Sequence, residues 1–158
     1  MATALENLEN SAPATAPAVG PFRDPRDMVP TELWHKQVGL LMRDYPFDSV
    51  MATRVLGQGY AYLATAMRHR GEQLGLAPAK IVDIGVHVII LDTIAYAELC
   101  REHNGGHFLH HVPLVDFKHD GSPMRTAHLI SAAGFEVDLP LWEADADCGP
   151  CHPGNDSH

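Results

Sequence analysis

From Thr31 onward apolar residues return every third or fourth position. Leu33, Trp34, Val38, Leu41 and Met42 share one helical face, and Tyr45-Pro46 ends the run, so the pattern predicts a first helix. A second follows from Asp48, an N-cap residue type. Ala52, Leu56, Gly59, Leu63 and Met67 keep the 3.6-residue spacing, Arg68, His69 and Arg70 fall in the last turn, and Gly71 lies beyond. Gly57 and Gly59 each cost a helix interior about 1 kcal/mol, which predicts a neighbouring helix passing close to them.

The stretch from Ile81 to Ile90 suits a buried strand or a helix by composition alone. Length decides for one long or once-broken helix. Pro78 suits its first turn, Ala95, Ala97, Glu98 and Leu99 continue it, and Asn104-Gly105-Gly106 stops it. In either conformation Asp83 and His87, four residues apart, lie on one face. Gly105 to Gly121 reads as irregular, and Ser122-Pro123 is expected to cap a short helix that runs through Ala133 and stops at Gly134. From Phe135 to His158 no helical period is visible, and no internal repeat is found.

The expected fold is mainly α: a single compact helical domain over residues 30–142, with an irregular His-rich loop. Residues 1–29, with Pro13, Pro17, Pro21 and Pro25 among small residues, read as a disordered leader. Residues 143–158 read as a cysteine-containing C-terminal tail, ordered only if it binds metal. A chain of 158 residues with 46% apolar content fills one core and not two, which favours one site.

Charge narrows the partners. With 20 acidic against 11 basic residues, the formal charge of -9 repels nucleic-acid backbones and anionic lipid heads, so neither nucleic acid nor membrane is expected as a partner. The longest strictly apolar run, Val88 to Leu91, is far short of the roughly 20 residues of a membrane span. Residues 1–20 match no secretory signal or transit peptide, and a cytoplasmic location is expected. An odd count of three cysteines in a reducing compartment favours thiolates or metal ligands over disulfides.

Histidine changes the picture most. Of 11 histidines, five lie between His103 and His119, and Cys148, Cys151 and His152 follow. The expected cofactor is one transition-metal ion, zinc first, with iron or copper as alternatives. Cys148-Gly-Pro-Cys151 has the spacing by which two thiolates grip one ion. A thioredoxin-type redox pair would need a strand before the motif and a helix after it, and Pro153 follows almost at once. A c-type haem attachment, suggested by Cys151-His152, belongs to exported proteins. Two free thiols on a disordered tail are the plain alternative.

Asp83, His87 and the pair His110-His111 form a second constellation. A carboxylate one turn from an imidazole either orients it or joins it as a ligand, and a further histidine gives a two-His-one-carboxylate set. A hydrogen-bonded core histidine satisfied by Asp83 is the competing reading. Cys100 would lie about 20 Å from His87 along a continuous helix, and only a break near Asp92-Thr93 would bring it nearer. Otherwise it is core, or it joins Cys148, Cys151 and His103 in a separate zinc knot. Tyr96, one turn before Cys100, is a candidate proton donor beside Asp83 as candidate catalytic residue. A Cys100 nucleophile with His103 or His107 rests on spacing alone. His35, His69, His128 and His158 are expected at the surface. No serine-hydrolase elbow or phosphate-binding glycine loop is present.

Three stretches carry a resemblance. Leu76 to His87, Leu91 to Cys100 and Gly106 to Pro113 resemble the glycine-rich domain-containing protein-like family, whose pattern is Val-Asp, two residues, Trp-His, then Thr, Tyr and Cys at helical spacing, then a His-His-x-Pro turn. The likeness runs from about the first helix to Trp142, and short members share the Cys-x-x-Cys tail. It implies a helical domain of largely uncharacterised activity, with recurring polar positions at Asp83, His87, Thr93, Tyr96, Cys100, His110 and His111. Val86 stands where the family has Trp, and Ile89 where many members have His.

Two functions follow as expectations. One is a small metalloenzyme acting on a small-molecule substrate in specialised metabolism, because a charged pair within an apolar segment is costly without a function. The other is a structural zinc module that docks on a partner protein through closed Cys/His coordination. The number of polar positions favours the enzyme.

Overall fold

The helical periodicity predicted along the chain is realised throughout the middle of the protein. The computed structural model describes residues 22–112 and 120–144. Within them the protein is mainly helical, with α1 (Thr31–Asp44), α2 (Ser49–Arg68), α3 (Lys80–Leu91), α4 (Thr93–His103), α5 (Ser122–Ala132) and α6 (Leu139–Glu143), and no strand. Among the described residues no helix is long and apolar enough to cross a membrane.

Helix α2 is the centre. Its Asp48 N-cap accepts the Met51 N–H at 2.8 Å, and Ala52, Val55, Leu56, Tyr60, Ala61, Leu63 and Met67 are buried around most of its circumference. The close approach predicted at its glycines occurs at Gly59. A Cβ there would fall 3.0 Å from the Gly85 carbonyl carbon, and one on Gly85 would fall 2.6 Å from the Val55 carbonyl oxygen. Two glycines thus let α2 and α3 cross backbone to backbone. Gly57 plays no part in that crossing: a Cβ there would make an ordinary 3.8 Å contact with Trp34.

The Ile81–Ile90 stretch is helix, and the helix is broken once. α3 ends at Leu91, Asp92 adopts ψ 73°, and α4 starts at Thr93. The Asp92 carboxylate accepts from Lys36 Nζ at 2.7 Å, which ties the break to α1. Pro78 precedes α3 instead of entering its first turn, because Ala79 is still extended and serves as the N-cap. Ser122 is likewise the first residue of α5 and not its cap; the Asp120 carboxylate takes the Ser122 N–H at 2.9 Å. Gly134, with φ 88°, turns the chain out of α5.

Two expectations about the ends need correction. Pro25–Met28, expected within a disordered leader, forms a 3-10 turn capped by Asp24, and Met28 is buried in the core. Residues from Phe135 onward, expected to lack helical structure, contain α6, and Phe135, Leu141 and Trp142 are buried. Polar contacts fix this return of the chain. Trp142 Nε1 donates to Gln58 Oε1 at 2.7 Å, Gln58 Nε2 donates to the Glu136 carbonyl at 3.0 Å, and Arg54 makes a two-pronged pair with Asp138 at 2.6 and 2.8 Å. A segment of five helical residues is too short to show a period, and its two buried apolar side chains supply the driving force instead.

Candidate metal centre

Helix α3 sets two of the three polar groups. Asp83 and His87 lie one turn apart on its rim, where both are half-buried. His87 Nδ1 lies 2.9 Å from the Asp83 carbonyl oxygen and 3.3 Å from Asp83 Oδ2. A carbonyl only accepts, so Nδ1 carries the proton in that contact and the neutral ring keeps its lone pair on Nε2.

The third group arrives on the chain that leaves α4. Gly105 and Gly106 take left-handed φ values of 60° and 79°, which only glycine adopts without strain, and the turn closes with the Gly106 N–H on the Cys100 carbonyl. The Asn104 side-chain amide then donates to the His107 carbonyl at 2.6 Å, and the buried Tyr96 hydroxyl donates to the Leu109 carbonyl at 2.5 Å. These two bonds lay the segment across α4. Two residues after Leu109, His111 reaches α3, where its Nε2 stands 3.2 Å from Asp83 Oδ1 and its ring meets the His87 ring edge-on, 5.1 Å between centroids.

One ligand atom from each of Asp83, His87 and His111 lies within 4.8 Å of the other two. Side chains with this donor set and spacing form a group able to hold a metal ion. One further observation fits that role. Asp83 Oδ1 is fully buried and makes no hydrogen bond among the described residues; His111 Nε2 stands 3.2 Å from it. A buried carboxylate oxygen in that condition costs about 1–3 kcal/mol unless a hydrogen-bond donor or a cation satisfies it.

The remaining candidate residues are distributed differently. The His110-His111 pair divides: His110 is exposed and its ring packs 5.2 Å from Phe108, outside the three-residue group. Cys100 is a buried free thiol beside Tyr96, and even with the helix broken at Asp92 it is not among the grouped ligands. Tyr96 commits its proton to the Leu109 carbonyl, so in this structure it holds the His111 segment; burial, reinforced by the Cys100 thiol, raises its phenol well above the ordinary range. Thr93, His103 and His107 are exposed. Cys148 and Cys151 lie outside the described residues.

One neighbour escaped the sequence reading. Tyr62, on α2, is buried, and burial first and the Asp83 charge second push its phenol up to about 12. It follows Gly59 by three residues, and Asp83 precedes Val86 by three, so the backbone crossing brings the two together. No spacing within one helix announces such a neighbour. The result is a mainly helical protein with an Asp-His-His group at the junction of α3 and the segment after α4. Compared with protein-family models, curated proteins and solved structures, the chain finds no match.

Proposed function

We propose that Asp83, His87 and His111 hold one transition-metal ion, and that the protein is a small metalloenzyme acting on a small-molecule substrate. The observation that carries this reading is the buried Asp83 Oδ1, which within the described residues makes no hydrogen bond and is set among two imidazoles. Asp83 supplies the negative charge, His87 supplies Nε2 with its tautomer fixed by the Asp83 carbonyl, and His111 supplies an imidazole from the opposing segment. Three protein ligands are the number typical of catalytic sites, in which a further position stays open to water or substrate. A bound ion would supply Lewis acidity there. Zinc suits the nitrogen and oxygen donors, and iron or copper are the alternatives.

Elemental analysis of chelator-washed, metal-reloaded protein tests the reading. Near-stoichiometric metal is expected for the wild type and for Cys148→Ser/Cys151→Ser, with loss in Asp83→Asn, His87→Ala and His111→Ala. Metal retained by all three triad variants, or lost only with the cysteines, overturns it; the latter result would favour the structural zinc knot.

A further inference from the structure

One cleft shares no residue with the Asp-His-His group. Open and about 780 Å³ in volume, it runs between the 3-10 turn, the first halves of α1 and α2, and the chain entering α6. That is the size range of small-molecule sites. Its lining carries three arginines, Arg23, Arg26 and Arg54, and three acids, Asp24, Glu136 and Asp138. Arg54 is neutralised by Asp138. Arg23 and Arg26 are not: among the described residues neither guanidinium makes a hydrogen bond or an ion pair.

Both are instead held by rings. The Arg23 guanidinium lies over Phe135 at 4.6 Å and that of Arg26 over Trp34 at 5.2 Å. Their backbones are also fixed, Arg23 by its N–H on the Gly134 carbonyl at 2.8 Å and Arg26 by its N–H on the Asp24 carboxylate at 2.9 Å. Asp24 Oδ1 accepts that Arg26 N–H, and Asp24 makes no ion pair with either guanidinium among the described residues. Two planar cations lining one cleft, with N–H groups that no described residue accepts from, are suited to a carboxylate. The exposed Phe22 and Leu139 side chains add apolar surface to the same lining. The Glu136 carboxylate, exposed in that lining and without a side-chain partner among the described residues, repels anions in proportion to their charge and so favours a single carboxylate over a polyanion.

We propose that this cleft binds a small monocarboxylate with an apolar body. The Arg23 and Arg26 guanidiniums receive the carboxylate, and the Phe22 and Leu139 side chains cover the remainder. Gly57 lines the cleft and supplies a clean block. A Cβ there meets only Trp34, at an ordinary 3.8 Å, so a substituent at this position starts into the cleft without a clash at its first carbon.

Calorimetric titration of the full chain with benzoate and with uncharged benzamide tests the proposal. Benzoate is expected to bind saturably with a Kd below about 1 mM, and benzamide at least tenfold more weakly. Arg23→Gln/Arg26→Gln and Gly57→Leu are each expected to weaken benzoate at least tenfold with an unchanged circular-dichroism spectrum, while Asp83→Asn leaves it unaltered. No saturable benzoate binding, equal binding of benzamide, or binding that survives Gly57→Leu overturns the proposal. Loss of benzoate binding in Asp83→Asn also overturns it, by moving the anion to the metal centre. Metal loss in the triad variants with benzoate binding intact separates the two sites.

Discussion

At the scale of single residues, the candidate centre depends on groups that never touch a ligand. Tyr96 is the clearest. Its hydroxyl fixes the Leu109 carbonyl, two residues before His111, so Tyr96→Phe should release the segment while keeping nearly all the buried ring. Metal affinity is expected to fall by roughly 10–100-fold, as for other groups that orient a ligand, against a stability loss of about 1 kcal/mol. A competition titration against a chromophoric chelator, beside a urea denaturation curve, checks both; unchanged affinity would remove Tyr96 from the site's support. Tyr62 offers a test by pH. Its phenol stands near 12 in the folded protein against 10 for the free group, so the folded state holds the proton more tightly. The resulting stability is full below pH 10 and is lost as pH rises from about 10 toward 12. Urea midpoints at pH 9 and above are expected to fall across that window, and to fall less in Tyr62→Phe. The sequence made Asp83 and His87 visible because four residues is one turn. It could not choose between His110 and His111, since that choice depends on which side of the segment faces α3 once Tyr96 and Asn104 have fixed it.

Among elements, the α2–α3 crossing decides whether the centre exists, because it fixes α3, and with it the Asp83-His87 rim, against α2. Gly59 was legible as a close approach from its cost within a helix. Its partner Gly85 was hidden in a stretch whose Val and Ile content also suits a strand. The crossing makes a sharp prediction. On propensity alone Gly85→Ala should stabilise α3 by about 1 kcal/mol. Its Cβ would instead fall 2.6 Å from the Val55 backbone oxygen, which cannot rotate away, so net destabilisation of about 1–3 kcal/mol is expected. Thermal melts of Gly85→Ala and of the exposed control Gly39→Ala, where a Cβ meets nothing within 4 Å, discriminate the two effects. A stabilised Gly85→Ala would mean that the helices can move apart. The break at Asp92 was open in the sequence for a related reason: neither proline nor glycine marks it, and its visible restraint is the ion pair with Lys36, 56 residues away.

For the molecule as a whole, the question is whether metal holds the fold or the fold holds metal. Trp142, Phe135 and Leu41 are almost wholly buried, and the core spans every helix from α1 to α6 and is built from residues other than the triad. The contributions of Phe135 and Trp142 were not legible because the helix carrying Trp142 is too short for periodicity, and its place depends on Gln58 and Arg54, which are distant in sequence. A fold built this way should survive chelation. Metal that binds only the folded state adds RT ln(1 + [L]/Kd), about 2.7 kcal/mol at a hundredfold excess over Kd. For a chain of this size that corresponds to a rise in Tm of roughly 5–10 °C. Scanning calorimetry with chelator and with excess metal is therefore expected to give two cooperative transitions separated by that interval, with the same far-ultraviolet helical signal at 20 °C. Loss of helix on chelation would make the ion a structural element in place of a catalytic one. Identical transitions would mean that Asp83, His87 and His111 satisfy one another without an ion.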